Sequence, residues 1–329
     1  MIHLFNAFHS PHGGSEQETL QLYRLLSQQT STRLWAASSK GCPTLIGENN
    51  ARRTRPVPSF MPRGGTYIFV GTHWRGKLWP RLAAPPERLI YVYNTMLPNL
   101  LESTAKVPPG WPAPEYVMIS DFQRALLGVP AEIHPSPIDL ERFTPAQTRA
   151  TGALRIGRMS RDTNDKHNHK DIGLYRELAD EGIQWHLQGA RCIASDIDHP
   201  SVHLTAAGTK AAAEFLRSLD IFYYQTDTHI ETFGRVVIEA MACALPVVCH
   251  RHGGYSDWIE HGHNGLLFDN NEEAKALLKR LLNDSSERLR LGLAARATVE
   301  QMYSEKAINE RLEFYLVPPR QPLLRKTGT

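Results

Sequence analysis

The chain predicts an α/β protein of two doubly wound domains, and three observations point there. Short apolar runs rich in Val, Ile, Tyr and Phe alternate with helical patterns along the whole length. The alternation occurs twice, on either side of a proline-punctuated stretch, HPSPIDLERFTPAQTRATG. Finally, 329 residues, 41% hydrophobic and 22% charged, suffice for two cores and exclude a disordered, collagenous or coiled-coil chain.

Strands are expected at 2–8, 33–37, 67–70, 89–93 and 116–120 in the first half. In the second half they are expected at 154–157, 184–188, 202–204, 221–224, 247–249 and 266–268. Helical periodicity falls at 171–181, 210–219, 233–244 and 272–282, with a closing helix at 304–315. Strands this apolar belong in parallel sheets covered on both faces. The expected divisions are a first domain over 1–145, a linker over 146–152, a second domain over 153–303, and a helix with a polar tail over 304–329. Pro-rich segments at 56–62, 80–86 and 108–114 are expected as ordered surface loops of the first domain.

No window approaches the roughly 18 apolar residues of a spanning helix, and the amino terminus, MIHLFNAFHS, lacks the basic region of a secretion signal. Cys42, Cys192, Cys243 and Cys249 have no framework spacing, which suits a reducing cytoplasm. The net charge of +3 is uneven: residues 1–150 hold 15 Lys and Arg against 10 Asp and Glu, the remainder 22 against 24. A basic first half suits an anionic partner or peripheral contact with a membrane face. No basic block or aromatic–basic module of a nucleic-acid binder is present, so nucleic acid is not an expected partner.

Two segments carry candidate chemistry. In HSPHGGSEQE, Gly13 and Gly14 sit at a strand-to-helix turn, and Ser15 with Glu18 forms the S-x-x-E pattern of a capping box. Adjacent glycines let a backbone approach a ligand, and a helix amino terminus offers N–H groups to an anion; a plain turn and cap is the alternative. The second segment is THIETFGRVVIEAMACALPVVCHRHGGYSDWIEHGHNGLLF. Glu231 precedes a helix that begins near Phe233 and Gly234, and Glu239 lies inside it. An offset of eight residues leaves the two carboxylates within about 80° of each other around the helix. Between them lies the positive end of a helix dipole, suited to a phosphate, while carboxylates beside it can accept hydrogen bonds from sugar hydroxyls. Glu239 is flanked by Val236, Val237, Ile238, Ala240, Met241 and Ala242, where a solvated charge is not expected.

With Gly253, Gly254 and HNGLLF following, this segment resembles the donor-site region of retaining glycosyltransferase family 4, of the GT-B fold. IGRMSRDTNDKH resembles the family's second-domain opening, which implies that Arg158 and Lys166 bind a diphosphate. Gly13-Gly14 resembles its first-loop glycine pair, and HPSPIDLERFTP its interdomain segment. The basic loop is longer than usual and makes Lys170 a rival for Lys166. Asn94 stands where many members have a histidine, with His9 and His73 nearby, and Asp257 takes the place of a common acidic residue.

The resemblance implies two Rossmann-like domains with a donor cleft between them, and transfer of a sugar from a nucleotide-sugar donor to a glycan, lipid-linked or polysaccharide acceptor. Glu231 would hold donor-sugar hydroxyls and Glu239 the ribose. Arg158, Lys166, the Gly13-Gly14 amides and the helix start at Phe233-Gly234 would stabilise the departing diphosphate. Nucleobase contacts are expected around 188–189 and 205–208. No cofactor and no metal is expected: the histidine pairs His250/His252 and His261/His263 lie in no zinc-type framework. His167 and His169 could add partial positive charge at the diphosphate if protonated, with ordinary loop histidines as the alternative. A sugar-nucleotide 2-epimerase and a non-catalytic nucleotide-sugar-binding subunit are the alternatives on this fold. A glycoside hydrolase is the weaker one, since phosphate-stabilising groups have no purpose in that chemistry.

Overall fold

The fold is described from a computed structural model over residues 1–11, 13–147 and 152–317. Most of the expected linker at 146–152, and the tail beyond 317, lie outside the described residues. The chain forms two compact units, Met1–Val117 with the segment from Ile308, and Met118–Ala307.

The first sheet comprises β1 (Ile2–Asn6), β2 (Thr32–Ala36), β3 (Arg52–Arg53), β4 (Thr66–Val70), β5 (Arg88–Tyr93), β6 (Glu115–Met118) and β7 (Glu132–Ile133), in the order β3-β2-β1-β4-β5-β6-β7. The second comprises β8 (Arg155–Met159), β9 (Gln184–Gln188), β10 (Val202–Thr205), β11 (Ile221–Tyr224), β12 (Val247–His250) and β13 (Leu266–Phe268), in the order β10-β9-β8-β11-β12-β13. The second sheet pairs parallel from β10 to β13, and the first from β3 to β5. Each sheet therefore reverses its winding once, between β1 and β4 and between β8 and β11. Every strand anticipated from the sequence is present, with ends shifted by at most two residues. β3 and β7 were not anticipated, because two residues leave no periodicity to read.

In unit 1 the core is aromatic. Phe5 stacks on Phe69 at 4.3 Å and on Trp79 at 5.3 Å, and Trp74 and Trp111 pack edge-on or tilted beside them. Trp111 lies in the Pro-rich stretch at 108–114 and Trp79 immediately precedes the one at 80–86, so these two loops are anchored by buried rings. Arg88 holds the segment at 314–317: it pairs with Glu115 at 2.6 Å, donates to the carbonyls of Phe314 and Val317, and lies 4.5 Å over the Phe314 ring. In unit 2, Trp185, Tyr175 and Tyr223 fill one face of the sheet. The segment after β7 is fastened to unit 2, since Arg235 donates to Ser136 Oγ and the Pro137 carbonyl, and Tyr303 to the Ser136 carbonyl.

The helix at the glycine pair, α1 (Gly14–Gln29), forms without the expected capping box. Gly13 is its N-cap, and no side chain caps it. Ser15 Oγ instead accepts from Asn6 Nδ2 at 2.9 Å, and Glu18 accepts from Asn94 at 2.8 Å. Buried Asn6 and its neighbours compete for these groups and win them. The short helices α2 (Pro43–Glu48), α3 (Pro98–Thr104) and α4 (Asp121–Leu127) had too few turns to register. The expected helices appear as α5 (Asp171–Asp180), α6 (Ala212–Arg217), α7 (Arg235–Ala242), α8 (Asn271–Asn283) and α10 (Glu305–Leu316). Before α10 lies an unanticipated long helix, α9 (Ser285–Met302). Leu289 and Leu293 on it are exposed, which blurs the amphipathic pattern, while Leu291, Gly292, Ala295 and Val299 are buried.

Gly292 is required by close packing, since a Cβ there would collide with the Ala244 carbonyl. Gly292→Ala is expected to lower unfolding free energy by about 1–3 kcal/mol in urea titration, although alanine is the better helix former by about 1 kcal/mol. A gain in stability would refute the packing constraint.

Candidate functional site

The second sheet's winding reverses between β8 and β11, and in open α/β sheets ligands bind beyond the carboxyl ends of the strands at such a point. Two loops leave there, 160–170 after β8 and 225–234 after β11. The Asp165 carbonyl accepts from the amides of Asp227 and His229 at 3.2 and 3.3 Å, which zips the loops together. Arg158, at the end of β8, is 0% exposed. Its guanidinium donates to the carbonyls of Lys166 and Gln225, lies 5.1 Å from the Tyr224 ring centre, and approaches Asp171 at 4.0 Å. Arg158 thus holds Lys166 by its backbone from beneath.

Lys166, only 6% exposed, donates from Nζ to Glu231 Oε1, and the Tyr224 hydroxyl donates to the same oxygen at 2.6 Å. His229 stands nearby, 3.8 Å from Glu231 and 3.4 Å from Asp165. Burial pushes the Glu231 carboxyl up, but Lys166 and His229, with the bonds from Lys166 and Tyr224, outweigh it and hold the carboxyl below its usual range. Burial pulls the Lys166 ammonium down, with Glu231 opposing. The result is a charged pair with little solvent around it, in which neither member is cheaply left alone.

The chain then turns into α7 through Gly234, whose φ of 73° is the left-handed conformation that glycine tolerates. A Cβ at Gly234 would also press on the ring of buried Tyr255. Phe233 is buried. Glu239 is buried in α7, 3.6 Å from Arg235, and burial raises its carboxyl pKa against Arg235 and Arg142. Gly253 and Gly254 follow β12. The Gly254 amide donates to the Glu231 carbonyl at 2.8 Å, and a Cβ on Gly254 would collide with the Thr232 carbonyl. Asp257 accepts from the Phe122 amide at 2.9 Å, and burial raises its carboxyl. Lys166, Glu231, Gly234, Gly254 and, from beneath, Arg158 are therefore gathered at one place in unit 2, with Glu239 on the adjoining helix.

Lys170 is exposed at the start of α5. His169 is exposed and faces Asp196 at 3.9 Å. His167 does not supply the positive charge that its position suggested. It is buried, Nε2 donates to the Gly189 carbonyl at 2.7 Å, and burial together with Arg158 lowers its pKa to about 4. Gln188 is tied to Lys210 by two hydrogen bonds, 2.8 and 3.1 Å long.

Gly13 and Gly14 belong to unit 1, beyond β1. There the Glu16 carboxylate accepts from the His9 amide at 2.9 Å and lies against Gly13. Asn94, after β5, lies beside Glu18 and Gly71. His9 bonds Ser38, and burial, then Lys77 and Arg75, lower the pKa of His73. Among the described residues no cluster of three or more His, Cys, Asp or Glu could hold a metal ion, and no helix is long and apolar enough to cross a membrane. Sequence reasoning passed over Tyr224, His229 and Asp171. Tyr224 reads as plain strand core, and His229 acquires its place only when the two loops meet.

Two parallel, doubly wound sheets of this order define the GT-B fold. HepE of Anabaena, solved in complex with UDP and glucose, superposes with a TM-score of 0.72 over 96% of this chain and 98% of that one, at 15% identity. Residues 199–298 match the family described as Glycosyl transferases group 1, as the sequence resemblance indicated. A D-inositol 3-phosphate glycosyltransferase of Arthrobacter is 30% identical over 210 residues, 56% of this chain and 49% of that protein. A GDP-mannose-dependent monoacylated alpha-(1-6)-phosphatidylinositol monomannoside mannosyltransferase of Corynebacterium glutamicum is 26% identical over 249 residues, 66% and 65% of the two chains. The chain thus spans about half to two thirds of these relatives' lengths.

The lowered His167 pKa has a consequence for stability. A histidine held at about 4 when folded and 6.5 when unfolded contributes stability that is complete above pH 6.5 and is lost as the pH falls toward 4. His167→Gln, which can still donate to Gly189, should remove up to about 3 kcal/mol of that pH dependence. Asp171 titrates oppositely in the same window, its pKa raised to about 6 by burial, but it is common to both proteins. Denaturant titrations of both proteins from pH 4 to 7 provide the measurement. Parallel curves would show that His167 is not buried neutral.

Proposed function

We propose that the chain is a retaining glycosyltransferase that moves a sugar from a nucleoside-diphosphate donor to a glycan or lipid-linked acceptor. The observation that carries the reading is the Lys166–Glu231 pair, buried across the switch point where α7 begins. In this reaction the bond between the anomeric carbon and the β-phosphate oxygen breaks, and the acceptor oxygen bonds to the same face of that carbon. The acceptor proton passes to the departing diphosphate. Negative charge grows on the leaving group, so a preorganised cation and helix amides in a dry site lower the barrier. Lys166 is the cation assigned to the diphosphate, and Arg158, spanning the Lys166 and Gln225 carbonyls, is its positioning residue. With Lys166 drawn to phosphate, the Glu231 oxygens are available to donor-sugar hydroxyls, while Glu239 faces the ribose.

Incubation with UDP-, GDP- and ADP-sugars and candidate acceptors tests the reading. Nucleotide released only when acceptor is present supports transfer. A changed sugar without nucleotide release would make the chain an epimerase, and binding without either would make it a subunit. Lys166→Ala should lower transfer by about 10²–10³, with nucleotide affinity reduced less, whereas Lys170→Ala should stay near wild type. Thermal unfolding checks that Lys166→Ala still folds. A severe Lys170→Ala defect beside a mild Lys166→Ala would overturn the assignment.

The two glutamates separate by ligand. Glu239→Gln should weaken free nucleotide and nucleotide sugar alike, by about ten- to hundredfold, the worth of a hydrogen bond to a charged group. Glu231→Gln should leave free-nucleotide affinity intact and lose transfer rate and discrimination between sugars. Calorimetry with UDP and with UDP-glucose separates the cases, and equal loss of UDP binding in both variants would sink the sugar-side role of Glu231.

A further inference from the structure

Unit 1 carries a pocket of about 730 Å³ that the donor chemistry does not use. It lies beyond the carboxyl end of β4 and is lined by residues of two segments, 74–81 and 106–109. Four of the lining residues are cations, Arg75, Lys77, Arg81 and Lys106, and among the described residues no carboxylate lines it. Arg75, Arg81 and Lys106 are exposed and have no ionic partner among the described residues. Lys77 is half-buried and donates to the His73 carbonyl, and burial lowers its pKa. The rest of the wall is apolar, with Trp74, Leu78, Pro80, Val107, Pro108 and Pro109. Beside it the chain exposes large aliphatic groups, Leu78 at 59% and Leu82 at 55%.

Unpaired cations repel one another, and exposed leucines cost free energy in water, so both features call for a ligand that is anionic at one end and apolar at the other. The wall is held in shape independently of any ligand. Trp74 Nε1 donates to the Lys106 carbonyl at 3.0 Å, joining the two segments, and Trp74 and Trp79 are buried in the aromatic core. A free inorganic anion would use the cations and leave the leucines exposed. A neutral glycan would use neither.

We propose that this pocket binds the phosphate headgroup of an anionic phospholipid, with the phosphate among Arg75, Lys77, Arg81 and Lys106 and the glyceride stem on Leu78 and Leu82. Such a site attaches unit 1 to an anionic membrane surface. It does not depend on sugar transfer, and a failure here leaves the donor reading untouched.

Vesicle co-sedimentation of the full chain near physiological salt tests it. Wild type should sediment with phosphatidylglycerol-containing phosphatidylcholine vesicles and not with pure phosphatidylcholine. Arg75→Ala/Arg81→Ala/Lys106→Ala, all exposed positions, should weaken sedimentation on the order of a hundredfold. Leu78→Ser/Leu82→Ser should weaken it by about tenfold. Circular dichroism and thermal unfolding of the same proteins should not change, which shows that both variants fold. Undiminished sedimentation of the triple variant would overturn the proposal. So would equal binding to phosphatidylcholine, or release of wild type by millimolar inorganic phosphate at matched ionic strength, which would make the pocket a free-phosphate site.

Discussion

A guanidinium with no exposed surface sits at the centre of the second sheet, and the geometry of the site depends on how that charge is accommodated. Arg158 gives up all its water, so the surrounding groups must replace it. Asp171 lies at 4.0 Å, the Tyr224 ring faces the guanidinium, and two carbonyls accept its N–H groups. Those carbonyls belong to Lys166 and Gln225, one on each loop at the switch point. Satisfying the buried charge therefore also fixes where Lys166 stands. Lys166 fixes Glu231 through the ion pair, and the Glu231 carbonyl takes the Gly254 amide, so the loop after β12 follows.

Glycine is needed where these loops meet. Three segments converge within the space of one backbone, and a Cβ on Gly254 would meet the Thr232 carbonyl while one on Gly234 would meet Tyr255. Unit 1 solves the same problem at its own switch point. Gly71, with φ of 57°, lets Ser15 and Asn94 approach, and Asn6 ties Ser15, Thr19 and the Val70 carbonyl together. In both units the strand ends are locked by polar groups that leave the backbone close-packed.

Much of this was legible in the chain. Both sheets could be read because their strands are buried on both faces, so apolar runs such as Ile221–Tyr224 stand out from their surroundings. The Glu231–Glu239 spacing pointed to α7 because an acidic residue among Val237, Ile238 and Met241 has no solvated explanation. What escaped was decided by tertiary contact. Ser15 and Glu18 have the letters of a capping box, yet Asn6 and Asn94 take their side chains. Arg158 resembles a diphosphate ligand, and its position beneath Lys166 follows from the carbonyls that surround it. The neutrality of His167 comes from burial next to Arg158, which no local pattern announces.

The two kinds of cation in the chain are set up for different work. Lys166 is nearly buried and already compensated by Glu231, so an anion gains there only if it offers more than one carboxylate does. Under the proposed transfer reaction, a diphosphate with growing charge would meet that condition, and an isolated chloride or carboxylate would not. Arg75, Arg81 and Lys106 are exposed and uncompensated. Their field is long-ranged at low salt and screened over about 10 Å at 0.1 M, which suits attraction to an extended anionic surface better than discrimination of one ligand. On the two readings proposed above, the exposed cations of unit 1 would act on where the chain sits, while selectivity for the donor would rest on the buried, compensated Lys166 of unit 2.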